Sequence, residues 1–286
     1  MGTMIGVALP DVDTWSDRVT VALGQNPGLF TGPGTNTYLV GTGRRRILLD
    51  TGSGAAAYPD ALARALERAG CDGLQEIVLT HGHVDHQGGV AQVRARWGPL
   101  RVSKLPGPDD PDGLGFEPLA DGAVVRTEGA TLRAVHTPGH ATDHVCFVLE
   151  EEQSLFSGDN VLGVGTTVIP SHGGDLLDYM RSLDRMLALA PRRIYPAHGP
   201  RIDDGAAKIR DYIAHRGARE RQILDALAQG DAPIAAIVER VYADVPQVLH
   251  AAAGHSVAAH LGKLEREGRV RRRDDRAPLE AVWGLA

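Results

Sequence analysis

Thr80-His81-Gly82-His83-Val84-Asp85-His86, followed by Gly88 and Gly89, sets the reading of the whole chain. Three histidines and an aspartate within six positions make a poor core segment, because each buried imidazole or carboxylate needs a partner. They make a good metal site. Neutral imidazole and carboxylate are preferred ligands of zinc and its neighbours, and tight spacing lets one turn supply much of a coordination shell. The plainer reading is a solvated loop rich in histidine, and further ligand candidates downstream argue against it. The run at 76–80 is short, apolar and β-branched and reads as a buried strand. The ligands then sit at a strand's carboxyl end, where α/β sheets carry their chemistry. Gly88 and Gly89 let the chain turn closely past the metal, and 90–97 reads as a helix.

Three later blocks each follow a predicted strand: Pro138-Gly139-His140 after 132–136, Ser157-Gly158-Asp159 after 154–156, and Pro196-Ala197-His198-Gly199 after 193–195. The HxHxDH spacing and these blocks, in this order, resemble the signature of the metallo-β-lactamase superfamily. The resemblance implies an α/β fold, an αββα sandwich, and a hydrolase carrying two divalent metal ions. His81, His83 and His140 would hold one, Asp85, His86 and His198 the other, with Asp159 bridging them. Zinc is the expected metal, and the same ligands accept iron and manganese. Water held between two cations has its pKa lowered toward neutrality, so a metal-bridging hydroxide is the expected nucleophile. Asp85 would orient it while acting as a ligand. The leaving group's proton would come from metal-bound water or from His144, for which the duller role is a hydrogen-bonded support. Asp50, in the strand-ending Asp50-Thr51-Gly52 that resembles the family's first motif, is read as orienting histidine ligands, with a catalytic acid as the alternative. His172 is read as touching substrate or as a solvated loop histidine. No serine or cysteine nucleophile is required, and no HExxH motif occurs.

At 286 residues the chain has room for one large domain or two, and 43% hydrophobic content leaves a sizeable core. A formal charge of -6 points to neither a polyanion binder nor a membrane-surface protein. Cys71 and Cys146 read as inert thiols, and the first ten residues lack the pattern of a secretory leader. No run approaches a membrane span. A cytoplasmic location without membrane contact is therefore the expectation, and it weighs against an exported antibiotic-resistance enzyme. Strands are expected at 19–23, 38–40 and 45–49, with a tight hairpin-like loop at 26–37. That loop lacks the lysine and following helix of a phosphate-cradling loop. A helix is expected at 58–69, stopped by Gly70, and another at 175–189. Residues 104–122, dense in Pro, Gly and Asp, read as a surface loop beside the site.

The character changes after His198. Helices at 208–229, 233–242 and 255–267 and a two-stranded ribbon at 268–285 suggest a winged-helix-like module, giving a metal-hydrolase domain at 1–202 and this module at 203–286. Residues 203–286 hold 13 Lys plus Arg against 13 Asp plus Glu. Zero net charge favours a lid or docking role over DNA reading. The 26–41 stretch, Asp143-His144 and His215-Arg216 together are similar to the lactamase-beta-2-like branch, which includes single-strand-selective endoribonucleases and polyketide thioesterases. Asp159 as a bridging carboxylate resembles glyoxalase II and RNase Z rather than true metallo-β-lactamases, so β-lactam turnover ranks as a side activity. Single-stranded RNA is the first expected substrate and a small acyl thioester the second. A DNA-binding regulator with a vestigial hydrolase domain is the non-enzymatic alternative, and the intact ligand set speaks against it.

Overall fold

The computed structural model describes all residues except 1–3, 5, 109, 111, 112, 114, 171, 172, 244–246, 248, 249 and the side chains of 251 and 252; His172 lies outside the described residues. Strands β1 (Val12–Ser16), β2 (Val19–Leu23), β3 (Asn36–Val40), β4 (Arg45–Leu49), β5 (Gly73–Val78), β6 (Val102–Lys104) and β7 (Glu117–Pro118) form one sheet in chain order. It is antiparallel from β1 to β4 and parallel from β4 to β7. A second sheet has the order β12-β11-β10-β9-β8, with β8 (Val124–Thr127), β9 (Ala130–His136), β10 (Val145–Leu149), β11 (Ser154–Gly158) and β12 (Arg193–Pro196).

Period-2 alternation explains how these strands make a sandwich. Ile47 and Leu49 of β4 join Val145, Phe147 and Leu149 of β10 in one buried cluster between the sheets. Leu48 faces the other way, into a cluster with α1 (Tyr58–Arg68) and α3 (Val90–Trp97). On the far face Cys146 and Val148 meet Tyr179, Leu183 and Met186 of α4 (Leu176–Ala188) and Ile209 and Tyr212 of α5 (Gly205–Leu227). The expected αββα sandwich is the observed architecture. Among the described residues no helix is long and apolar enough to cross a membrane.

The C-terminal part is a winged helix. β13 (Ala232–Pro233), β14 (Val270–Arg272) and β15 (Val282–Leu285) form a small sheet in the order β13-β15-β14. It packs with α6 (Ile234–Val241) and α7 (His250–Arg266) around Trp283, Ile237, Val257 and Leu261. Helix α5 serves both cores: Ile209 and Tyr212 in the sandwich cluster, Ile223, Ala226 and Leu227 in this one.

Several boundaries differ from the sequence reading. β5 stops at Val78 rather than at 80, because the Thr80 amide donates to Asp50 Oδ1 instead of a neighbouring strand. α7 begins at His250 rather than at 255, the run of alanines there outweighing Gly254. β1 has no counterpart in the sequence reading, since Val12–Ser16 carries three polar residues of five. The loop at 26–37 does close as a hairpin, Gly28 and Gly32 exchanging backbone hydrogen bonds of 3.0 and 2.8 Å.

Candidate metal centre

The segment 79–83 after β5 carries His81 and His83, and helix α2 (Val84–Gln87) carries Asp85 and His86, so the motif stands at the sheet's carboxyl end. His81 Nε2 and His140 Nε2 each lie 3.0 Å from His83 Nδ1, and Asp159 Oδ2 lies 3.4 Å from His140 Nε2. Beside them, His198 Nε2 is 3.3 Å from Asp85 Oδ2, and His86 Nε2 is 3.5 Å from the same oxygen. Asp159 Oδ1 stands 3.4 Å from His86 Nε2 and 3.2 Å from His198 Nε2. The structure thus gathers all seven residues of the expected ligand set. They form two groups able to hold a metal ion, His81, His83, His140 and Asp159, and Asp85, His86 and His198. Asp159 turns one carboxylate oxygen to each.

The donor set fits a divalent cation. Metal–nitrogen bonds of about 2.0–2.1 Å give tetrahedral edges of about 3.3 Å, and the observed separations cluster around that length. His86 Nε2 and Asp159 Oδ1 are buried with no hydrogen-bond partner, a costly state unless something else satisfies them.

Neighbouring groups fix which nitrogen three of the rings present. His81 Nδ1 lies 3.0 Å from Thr80 Oγ1, whose own proton goes to Asp50 Oδ2 at 2.8 Å, so the ring donates to the hydroxyl. His86 Nδ1 donates to Asp50 Oδ2 (2.8 Å), and His140 Nδ1 to the Val168 carbonyl (2.8 Å). In each case the proton is held at Nδ1 and the Nε2 lone pair is left for a metal. Asp50 is buried at φ +59°, a left-handed conformation that Asp tolerates, and it orients His86 rather than facing the cleft.

His144 is fully buried. Its Nε2 accepts the Asp159 amide (3.1 Å) and its Nδ1 meets Thr137 Oγ1 (3.0 Å). Nε2 is spent on the Asp159 turn and Nδ1 on Thr137, and neither is left for a leaving group. Gly88 and Gly89 do permit a close approach, but to the loop after β4: a Cβ on Gly89 would lie 2.1 Å from the Thr51 carbonyl oxygen. They clamp Asp50's loop to the histidine motif, with Thr51 N–H and Oγ1 both donating to the His86 carbonyl at 2.8 Å.

Electrostatics divides the cluster. Burial, then neighbouring imidazoles, push the His81 and His144 rings well down and the His83 ring down, and for His81 and His83 that favours the neutral form that binds metal. On the other side burial works against charge, but Asp159 and Asp85 outweigh it and push His198 up to about 9. Asp85 and Asp159 are held below the usual carboxylate range, burial being overcome by His86 and His198.

Three groups support the site in roles that the sequence did not signal, although Arg216 stands in the His215-Arg216 pair that carries the branch resemblance. The Val168 carbonyl lies in an irregular segment, where backbone groups carry no residue code. Lys104, fully buried at the end of β6, pairs with Asp143 and Asp110 at 2.5 Å each, behind Gly82. Arg216 reaches the same irregular segment from α5.

Residues 30–198 match the metallo-beta-lactamase superfamily profile, and residues 234–283 match the beta-lactamase associated winged helix domain. The chain is 41% identical to the beta-lactamase-like protein 2 homolog of Drosophila melanogaster over 277 residues, covering 92% of this chain and 93% of that one. It is 46% identical over 224 residues to an atrochrysone carboxyl ACP thioesterase of Aspergillus novofumigatus, covering 78% of this chain and 66% of the relative. The crystal structure of a beta-lactamase domain protein from Burkholderia ambifaria superposes with a TM-score of 0.82 at 21% identity, over 98% of this chain and 95% of that one.

Proposed function

We propose that this chain, which belongs to the metallo-β-lactamase superfamily and is a hydrolase of that fold, uses two divalent metal ions to hydrolyse an acyl thioester. Zinc is the first choice of metal, with iron or manganese accepted by the same donors. Bound cations would polarise the thioester carbonyl and lower the pKa of water. Asp159 spaces the two groups of ligands, and Asp85, whose side chain is 22% exposed, orients the attacking water by accepting its hydrogen bond. A thiol's pKa of about 8.5 lets the leaving group depart as thiolate near neutral pH. That suits a site in which His144 has no proton to give.

The observation that carries the substrate class is the apolar rim. Val84, inside the histidine motif, is 69% exposed, and Val168, whose carbonyl holds His140, is 52% exposed. The loop at 24–35 is pinned beside His198 by the Thr35–His198 bridge, and its tip carries Leu29 and Phe30, 72% and 71% exposed. Such a rim suits an acyl chain. A single-stranded RNA, the first expectation from the branch, would call for a track of lysines and arginines there beside an aromatic such as Phe30. The relative named as an acyl-carrier-protein thioesterase supports the same reading. Cys71 and Cys146, both free and buried, are in keeping with the reducing cytoplasm as its compartment.

The test is turnover of an acyl-N-acetylcysteamine thioester and of a labelled single-stranded RNA, side by side, with and without chelator. Chelator-sensitive thioester cleavage is expected. RNA cleavage alone would overturn the substrate class and leave the metal centre standing.

A further inference from the structure

We propose that Arg216 of α5 is a positioning residue for His140, tying the helix shared with the winged-helix module to the metal centre. The proposal rests on the two-metal reading of the site and is independent of the thioester substrate.

Residues 162–170 form no helix or strand, yet they carry the carbonyl that orients a metal-binding histidine. What holds them is largely one face of α5. Tyr212 and Arg216 are four residues apart and therefore stacked on one side of the helix. The Tyr212 hydroxyl accepts from the Leu162 amide (2.9 Å) and donates to the Gly165 carbonyl (3.0 Å). One turn later, Arg216 Nη2 donates to the Thr167 carbonyl at 2.7 Å. The next carbonyl along, that of Val168, accepts the His140 Nδ1 proton. Fixing the 167–168 peptide with a buried guanidinium leaves only the φ and ψ of Val168 between that anchor and the carbonyl that receives His140.

A guanidinium 7% exposed is an expensive way to fill space. It is held by the Thr167 carbonyl and by the ring of Tyr179, 5.4 Å beneath it, while its Nε finds no partner. An apolar side chain of the same length would pack there at lower cost, but it would not donate to Thr167. Without that donor the 167–168 peptide is free to rotate, and His140 loses the acceptor that keeps its proton on Nδ1 and its Nε2 lone pair toward the metal.

The test compares wild type, Arg216→Met, Arg216→Lys and His140→Ala by chelator competition for two bound cations, by the visible spectrum of the cobalt-loaded proteins, and by thermal unfolding. Arg216→Met is expected to bind one cation about 10–100-fold more weakly, as losses of ligand-orienting partners do, and the other as wild type. Its cobalt spectrum should change in the direction of the His140→Ala spectrum. Arg216→Lys, which restores a donor and keeps the charge, should recover most of that affinity and also keeps the question open to refutation if the methionine variant does not fold. Wild-type affinity for both cations with an unchanged cobalt spectrum in a folded Arg216→Met, or, in either variant, an equal loss at both sites tracking the melting temperature, would overturn the proposal. A wild-type protein that takes up fewer than two cations would instead sink the two-metal reading on which it stands.

Discussion

Single residues here do work that their type alone does not announce. Asp50 accepts from the Thr80 amide, the Thr80 hydroxyl and His86 at once, so one carboxylate orders two metal-binding histidines. His260 is the opposite case. It is 1% exposed on α7, neither ring nitrogen has a partner, and burial, then the Arg216, Lys263 and Arg219 cations, push its pKa down to about 3. The unfolded chain binds a proton there below about pH 6.5 and the folded chain does not, so stability falls as pH drops through the window from 6.5 toward 3. His260→Leu is expected to be neutral or stabilising at pH 7, and to lose about 2 kcal/mol less than wild type between pH 7 and pH 5. Urea unfolding at both pH values measures this. Parallel losses in the two proteins would show that His260 does not titrate as argued.

At the level of elements, the site is built by strand ends meeting helix flanks. The Pro138-Gly139-His140 turn leans on α4: the Asp175 amide donates to the Gly139 carbonyl (2.8 Å), and Ser182 Oγ to that of Pro138 (2.7 Å). Gly139 has φ +132°, and a Cβ there would stand 2.3 Å from Tyr179 Cα. Gly139→Ala therefore forces α4 or the turn to move. A stability loss of about 3 kcal/mol is expected from overpacking and strain together, with weakened cation binding at His140. Chemical denaturation and chelator competition read the two effects. A variant within 0.5 kcal/mol of wild type, about the range of ordinary surface changes, would mean that the helix yields freely.

For the whole molecule the question is where one unit ends. Division after residue 202 follows the last ligand block, yet the outer face of the second sheet is covered by Ile209 and Tyr212 of α5, and Arg216 reaches the segment behind His140. A fragment of residues 1–202 uncovers that face, whereas one of residues 1–229 keeps it. The shorter fragment is expected to aggregate or bind cations poorly, and the longer to stay folded and bind two. Light scattering and metal analysis of both decide it. A well-folded two-metal fragment 1–202 would show that α5 is dispensable to the centre.

The sequence by itself determined the sandwich and the identity of its seven clustered ligand candidates. Both came through a family resemblance carried by local code, the HxHxDH block and three later blocks that each end a strand. Only the tertiary structure decided what stands behind them. The Val168 carbonyl is a backbone group that any residue would supply, Lys104 finds Asp143 39 residues away, and Arg216 meets Thr167 across 49. His144 carries an imidazole whose sequence admits both an acid and the plainer hydrogen-bonded support, and burial, with Asp159's amide on one nitrogen and Thr137 on the other, favours the support. Contacts that depend on how two distant segments pack leave no periodicity, because nothing in either segment's own conformation requires the other.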